Sequence, residues 1–507
     1  MKTQGMRHQL LALDKAGRRK YFAYFMEQGL GKTWTALAEF EKHFVAGAFD
    51  AMVVIAPNGV HSNWIRREAP EHLSIKWIGH YWRGNDKMKT KKGKALWEKM
   101  FADHYPEGEV PARIFSFNID TVNTPVGYQH IESVLKKYRC LMIIDESTRI
   151  KNNTAKRSIK VVELGRLAKA RRILSGTPLP RSPADIYMQY HFLEAGLLGT
   201  KSFRAFNSEF TVLLEAHDPE MQAILKKIGG NGHGIPQVPR KDQFGRPMYK
   251  NLDKLIRLME PHYFRATKAE YLPDLPEKVY KFIDFELSPK QRDVYDELKN
   301  EYNYLMEYKG EEENVKFEMI ASRTKMKQVT SGFVKVYDEM VYMEDNPRFT
   351  AFKDYVEGVL EDDPERKFIV WAIFKEEMNQ IKDWLESEGV VTGVYNGETS
   401  KEQREFLIDD FQKNTVANGG TQVLVCHAAA AGIGITLTAA DLAIYYSCNY
   451  DNELRKQSED RNHRIGTKSS VLYVDFIGVD TIDEEIQRSL SMKSMLADHI
   501  LDGKKMN

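Results

Sequence analysis

Long hydrophobic runs are missing from this sequence. Its most apolar stretches, AMVVIAP and FIVWAIF, are strand-sized and fall well short of the ~20 residues a membrane-spanning helix needs. That excludes a helical integral membrane protein. The opening MKTQGMRHQL has no apolar core, so it does not read as a secretory signal. Cysteine is scarce as well: Cys140, Cys426 and Cys448 are the 3 in 507 residues. An odd number without metal-ligand spacing argues against a disulfide framework and against a zinc module. The expectation is an intracellular, soluble protein, cytoplasmic if the source is a bacterium or a virus. Excess charge is lacking too, since 73 Lys and Arg face 72 Asp and Glu for a net charge of +1. The whole chain therefore carries no electrostatic footprint for nucleic acid, although a local one is possible. The densest candidate is RGNDKMKTKKGK, with Arg83, Lys87, Lys89, Lys91, Lys92 and Lys94. Such a run is by default a solvated loop.

What is present is a rhythm. Over residues 21–181 short apolar runs alternate with amphipathic segments: YFAYFM, AMVVIAP, ARIFSFN, LMIID and RRILSG. The rhythm returns from residue 367 with KFIVWAIF, VVTGVYNG, TQVLVCHA, LAIYYS and VLYVDFI. Strand-length runs without polar alternation, each followed by a helix-like stretch, predict parallel sheets covered on both faces. At 58.6 kDa the chain is also too long for one core. Two α/β halves are expected, at 1–190 and 346–507, joined by helical insertions and a linker over 191–345.

The middle segment loses the strand rhythm and reads as helices with loops. DPEMQAILKKIGG carries Asp218 as cap, Pro219 at the first helical position and glycines at the stop. In LSPKQRDVYDELKNEYNYL, Ser288 and Gln291 form a capping box, and Tyr295, Leu298, Tyr302 and Leu305 mark one face, which is more naturally core than binding surface. The Gly- and Pro-rich segment GGNGHGIPQVPRKDQFGRP, within 213–252, predicts a long loop or a β-like excursion, and its role is left open by the sequence.

The first half contains FAYFMEQGLGKTWTALAEF, an apolar strand, a glycine-bearing turn and a helix. Backbone N–H groups of such a turn, with the helix dipole behind them, cradle phosphates. Gly29, Leu30 and Gly31 form the turn, Lys32 reaches the β and γ oxygens, and Thr33 can hold Mg²⁺. The strict phosphate-loop pattern wants glycine where this chain has Met26, so the match is to the looser helicase variant.

LMIIDESTRIKN ends a strand in two carboxylates about 110 residues downstream of that loop. Strand ends are commonly polar simply because the chain is leaving the core. Beside a phosphate loop, however, Asp145 would coordinate Mg²⁺ through water while Glu146 polarises the attacking water of an ATPase.

Taken together, MEQGLGKT, DEST, LSGTP, GIGITLTAAD and QSEDRNHRIG resemble the ordered motifs of superfamily-two helicases, specifically the Swi/Snf-type branch of DNA-dependent translocases. VVIAPNGVHSNWIRRE, RIKN, FRATKAEYLPDLPEK and YNGETSKEQREFLIDDFQ are similar to further segments of that branch, so the resemblance covers nearly the whole chain.

The resemblance implies two RecA-like lobes with helical insertions between and protruding from them. It also implies residue roles. Gln9 would read adenine. Asn63 and Trp64, with Ser175 and Thr177, would couple the nucleotide site to DNA. Gly432, Gly434 and Thr436 lie where backbone and hydroxyl groups meet phosphates, with Asp441 nearby, and Thr436 stands where Asn is common. Arg461 and Arg464 would reach the γ-phosphate as a finger supplied within the chain, with Gln457 seating them. Ser147 and Thr148 replace the Ala-His many relatives carry, so coupling through that histidine must run differently.

The implied activity is ATP hydrolysis with Mg²⁺, driving translocation along DNA that is double-stranded and gripped without sequence preference. No membrane is involved, and a monomer is expected. The short flanks outside the motifs imply a minimal motor without accessory domains. Two alternatives stay open: a strand-separating DNA or RNA helicase, and a nucleotide-gated clamp or adaptor in which hydrolysis is weak. The basic stretch at 83–94 would then be a DNA-facing or rim loop.

Overall fold

A run such as CLMIID, apolar on both faces, is best accommodated inside a parallel sheet with helices on either side. That is where it lies in the computed structural model. The structure describes the chain except Gly59 and residues 85–89, 103–104, 106–109, 229–235, 243–245, 309–312, 432–434 and 503–507. The chain divides into two compact units, Met1–Pro273 with Lys493–Asn507, and Asp274–Met492.

The sheet of the first unit is built from β1 (Tyr21–Met26), β2 (Ala51–Ala56), β3 (Trp77–Tyr81), β4 (Ala112–Asn118), β5 (Cys140–Asp145), β6 (Ala170–Leu174) and β7 (Tyr263–Ala266). Their order is β3-β4-β2-β5-β6-β1-β7, and every neighbouring pair is parallel. Every residue of β2 and β5 is buried. Alternate side chains enter opposite cores: Val53, Ile55, Met142 and Ile144 on one side, Met52, Val54, Leu141 and Ile143 on the other. Full burial of one such side chain stabilises by about 1.5–3 kcal/mol, so the central strands anchor the unit.

The second unit carries β8 (Lys278–Phe285), an antiparallel hairpin of β9 (Phe333–Val336) and β10 (Glu339–Tyr342), then β11 (Phe368–Trp371), β12 (Thr392–Tyr395), β13 (Val423–Cys426), β14 (Leu442–Tyr445) and β15 (Val471–Gly478). Its main sheet is also all parallel, in the order β12-β13-β11-β14-β15-β8. Two parallel α/β sheets are thus the architecture, as the apolar rhythm predicts.

The middle of the chain differs from its sequence reading. Residues 191–345 are not helices and loops alone, since β7 joins the first sheet and β8 the second. β7 is only 4 residues long. β8 is an edge strand whose side chains are mostly exposed. Neither needs an uninterrupted apolar run. The boundaries drawn at 190 and 345 therefore fall inside the two units. Residues from 493 belong to the first unit because Leu496, Ala497, Ile500 and Leu501 enter its core.

Local chemistry places the helix starts as read. Ser288 and Gln291 exchange backbone-to-side-chain bonds of 3.1 and 3.4 Å at the start of the helix Pro289–Tyr308. Ser400 and Gln403 do the same at Lys401–Lys413. Tyr295 is buried in the second core, with Leu298 and Tyr302 packed against it. All three cysteines are free thiols, and burial pushes those of Cys140 and Cys426 well above their usual range. Among the described residues no helix is long and apolar enough to cross a membrane.

Candidate active site

β1 runs into the glycine turn and then into a helix, α2 (Lys32–Val45), preceded in the chain by α1 (Arg7–Ala16). Gly29 and Gly31 have φ of +88° and +73°, a region that costs an ordinary L-residue about 1 kcal/mol or more. Gly31 is needed for a second reason: a Cβ there would lie 2.1 Å from Gln9 Nε2. Lys32 Nζ donates to Met26 O at 2.9 Å, closing the turn on the strand end. Leu30 is buried beneath it, and Thr33 is half-buried in the first turn of α2.

Gln9 is held against this loop. Its Oε1 accepts from Met6 N at 2.8 Å, capping α1, and its Nε2 donates to Leu30 O at 3.2 Å. A ring nitrogen of His8 meets the same carbonyl at 2.8 Å. Behind the loop, Glu39 of α2 accepts from Arg172 Nε of β6 and from Tyr24 Oη of β1, both at 2.9 Å. Arg172 and Glu39 are almost wholly buried. This pair fastens the phosphate-loop helix to the two strands beneath it, and removing one partner of such a buried pair typically costs about 3–5 kcal/mol.

The carboxylates stand at the end of β5. Asp145 is buried; its Oδ2 accepts from Trp64 Nε1 at 3.0 Å and its Oδ1 from Glu146 N at 3.0 Å. Burial raises its pKa, and the Trp64 hydrogen bond and the positive charge of Lys32 pull partly back. Glu146 follows with φ of +50°, a left-handed backbone held by a non-glycine residue, of the kind that clusters at functional sites.

Trp64 occupies a π-helical turn, Trp64–Glu68, and is 1 % exposed. This hydrogen bond places its side chain beside the acidic pair. Asn63, beside it, is half-buried.

Ser175 and Thr177 lie just past β6. Ser175 is fully buried and its Oγ accepts from Thr177 N at 3.1 Å. Two residues outside the sequence expectations meet here. Arg265 of β7 donates to Gly176 O at 3.3 Å and to Phe25 O at 3.4 Å, and its Nε pairs with Asp502 at 2.8 Å. Gln189 links the acidic box to the same turn, through Ser147 on one side and Pro178 on the other. Both were legible only indirectly: Arg265 falls in the FRATK run, and Gln189 is the lone amide of the otherwise apolar and aromatic stretch IYMQYHF.

The remaining expected residues are in the second unit. Arg464 Nη1 donates to Thr436 Oγ1 at 2.8 Å. Arg461 donates through Nε to Gln457 O at 2.8 Å and through Nη1 to Ile435 O at 3.2 Å. Gln457 is buried, its Nε2 on Glu453 Oε1 at 3.3 Å. The arginines, Gln457 and Thr436 thus form one cluster. Asp441 instead pairs with Arg366 at 3.0 Å. Gly432 and Gly434 lie outside the described residues, as do Lys87 and Lys89 of the basic stretch. Arg83 in that stretch stacks over Tyr81, 4.5 Å from the ring centre.

A parallel α/β sheet with a phosphate loop on one strand end and an acidic pair on another, in a chain with a second such sheet, defines a helicase-type ATPase. The SNF2-related domain matches residues 25–336 and the helicase conserved C-terminal domain matches residues 349–466. The chain belongs to the SNF2-related family, in the Swi/Snf-type branch of superfamily-two helicases, a family of ATP-dependent enzymes.

The chain is 25% identical over 480 residues to the mouse DNA annealing helicase and endonuclease ZRANB3, covering 94% of this chain and 39% of that one. It is 25% identical over 495 residues to the putative ATP-dependent helicase/translocase YwqA of Bacillus subtilis, covering 94% of this chain and 46% of that one. The Sulfolobus solfataricus SWI2/SNF2 ATPase core in complex with dsDNA matches at 22% identity and a TM-score of 0.40, covering 99% of this chain and 94% of the other. The chain spans roughly two-fifths of the length of the curated relatives it matches.

Proposed function

We propose that the chain is an ATP-driven translocase that moves along double-stranded DNA without reading its sequence, remodelling DNA structures or protein–DNA complexes. The observation that carries this reading is the strand order β5-β6-β1. Because the strands are parallel, their carboxyl ends lie along one edge, where open α/β sheets bind ligands. The Ser175–Pro178 turn sits there between the phosphate loop and the acidic pair, so a change at the nucleotide has a direct route into the segment the family resemblance connects with DNA.

In this reading Gly29, Leu30 and Gly31 cradle the phosphates, Lys32 neutralises the β and γ oxygens, and Gln9 reads the adenine. Glu146 orients the attacking water. Thr33 and Asp145 fit Mg²⁺: a hydroxyl at a helix start and a carboxyl group at the end of β5 are the hard oxygen donors this cation takes alongside phosphate oxygens. The ion supplies charge neutralisation of the phosphates when bound. Arg461 and Arg464 neutralise charge developing on the γ-phosphate. The name of one relative, a DNA annealing helicase and endonuclease, supports DNA as the partner, and that of the other, a helicase/translocase, supports translocation.

The test is the ATPase rate measured side by side with duplex, single-stranded and forked DNA and with RNA. Duplex DNA should stimulate most, and Lys32→Ala and Glu146→Gln should abolish turnover. A full rate without nucleic acid sinks the proposal. Release of a labelled strand from forked DNA would replace it with strand separation, and ATP binding without turnover on any nucleic acid would replace it with a clamp.

A further inference from the structure

Glu146 poses a positional problem: its left-handed backbone is strained, so something must hold it. Its own N–H and carbonyl bond to Asp145 and Arg149, and the next residue ties this position to a second motif. Ser147 Oγ donates to Gln189 Oε1 at 2.6 Å, and Gln189 Nε2 donates in turn to Pro178 O at 2.7 Å and to Asp185 O at 2.8 Å. Ser147 and Gln189 are both fully buried. Pro178 closes the turn that follows β6, and Ser147 follows Glu146 at the end of β5, the neighbouring strand.

The helix bearing Gln189, Asp185–Leu193, grips the same loop a second time. Asp185 Oδ2 accepts from Arg181 N at 2.7 Å and from Ser182 N at 3.2 Å. Movement of the 175–182 loop must therefore either carry this helix or break these bonds. An apolar side chain at this site would leave the buried Ser147 hydroxyl and the Pro178 carbonyl without these bonds. A buried amide that instead uses its oxygen and its nitrogen on two different motifs fixes their relative position.

We infer that Gln189 is a positioning residue: the Ser147–Gln189–Pro178 bridge transmits the state of the 175–178 turn to the Glu146 carboxylate. It takes the place of a histidine-based relay at the acidic box, where this chain has Thr148. The inference rests on the translocase reading, because the signal it carries is the presence of DNA.

The experiment compares wild type with Ser147→Ala, Gln189→Met and the double variant. Steady-state ATPase is measured with and without duplex DNA, and thermal melting is recorded for each protein. Expected are a basal kcat and an ATP KM within about threefold of wild type, a DNA-stimulated kcat about tenfold lower in each single variant, and no further loss in the double. Ser147→Ala removes one hydroxyl only, so it decides the matter should Gln189→Met melt early. Stimulation retained in Ser147→Ala overturns the inference while leaving the translocase reading intact. So does a basal and a stimulated rate that fall by the same factor, which is the mark of a bond that only supports the fold. A wild-type rate that no DNA raises overturns the translocase reading and the inference with it.

Discussion

The Trp64 indole N–H points at Asp145 Oδ2 across 3.0 Å, and both groups are buried. Burial raises the Asp145 pKa, and this hydrogen bond is the first of the influences that lower it. Trp64→Phe removes the donor and should raise the pKa further. A hydrogen bond to a charged group favours its ionised form, so without metal the titration of this carboxyl should move to higher pH in the variant. The folded state holds this proton more tightly than the unfolded state. Stability associated with Asp145 therefore falls as pH rises through the folded-state value, and the variant should lose more stability at pH 8 than at pH 4. Chemical denaturation at the two pH values checks the sign.

Gly31→Ala adds a methyl group to a left-handed position, 2.1 Å from Gln9 Nε2. The strain and the clash both fall on the phosphate loop. ATP affinity should drop by at least about tenfold, corresponding to the roughly 1.4 kcal/mol expected from the backbone alone. Titration with a fluorescent ATP analogue reads this, and an affinity within twofold of wild type would contradict it.

Glu459 accepts from Lys278 Nζ at 2.9 Å, from Tyr280 Oη at 3.0 Å and from Arg455 Nε at 2.7 Å. Burial works to raise its pKa, yet Lys278 and Arg455 outweigh it and hold the carboxyl down to about 2. A depressed carboxylate stabilises the fold above its unfolded value, near 4.3, and that contribution fades as pH falls from there toward 2. Glu459→Gln should cost about 3 kcal/mol at neutral pH and flatten the acid side of the stability curve. Urea midpoints between pH 2 and pH 7 measure both effects.

Arg461 and Arg464 should separate on stability while agreeing on chemistry. Arg461 is buried and bonds two backbone carbonyls, whereas Arg464 is more open and meets the Thr436 hydroxyl. Both alanine variants should keep ATP affinity within about threefold and lose about 10³-fold in kcat. Only Arg461→Ala should also lower the melting temperature, by several degrees. If Arg464→Ala hydrolyses ATP at the wild-type rate, it is not a finger.

Much of the fold was legible because buried parallel strands leave an unmistakable trace. YFAYFM and ARIFSFN coincide with β1 and β4 residue for residue, since a strand covered on both faces must be apolar at consecutive positions. Edge strands carry no such demand. WIGHY and KVYKFIDF form β3 and β8 at the sheet margins, where Gly, His, Lys and Asp interrupt the apolar run.

For the candidate site, the glycine turn of QGLGKT and the carboxylate pair of IIDE stand in contiguous words, so both could be proposed from the sequence. Their supports could not. Trp64 reaches Asp145 across 81 positions, and Arg172 reaches Glu39 across 133. Ser147 and Gln189 are separated by 42.

By itself, then, the sequence determined the two parallel α/β sheets and the family, because apolar runs and ordered motifs encode them, and it singled out the glycine turn and the acidic pair as the proposed nucleotide site. Tertiary structure decided that β7 and β8 belong to different sheets, that Trp64 serves the carboxylate, and that Gln189 bridges the acidic box to the turn beside it. These are pairings between distant segments, and a buried polar group finds its partner only when the chain has closed around both.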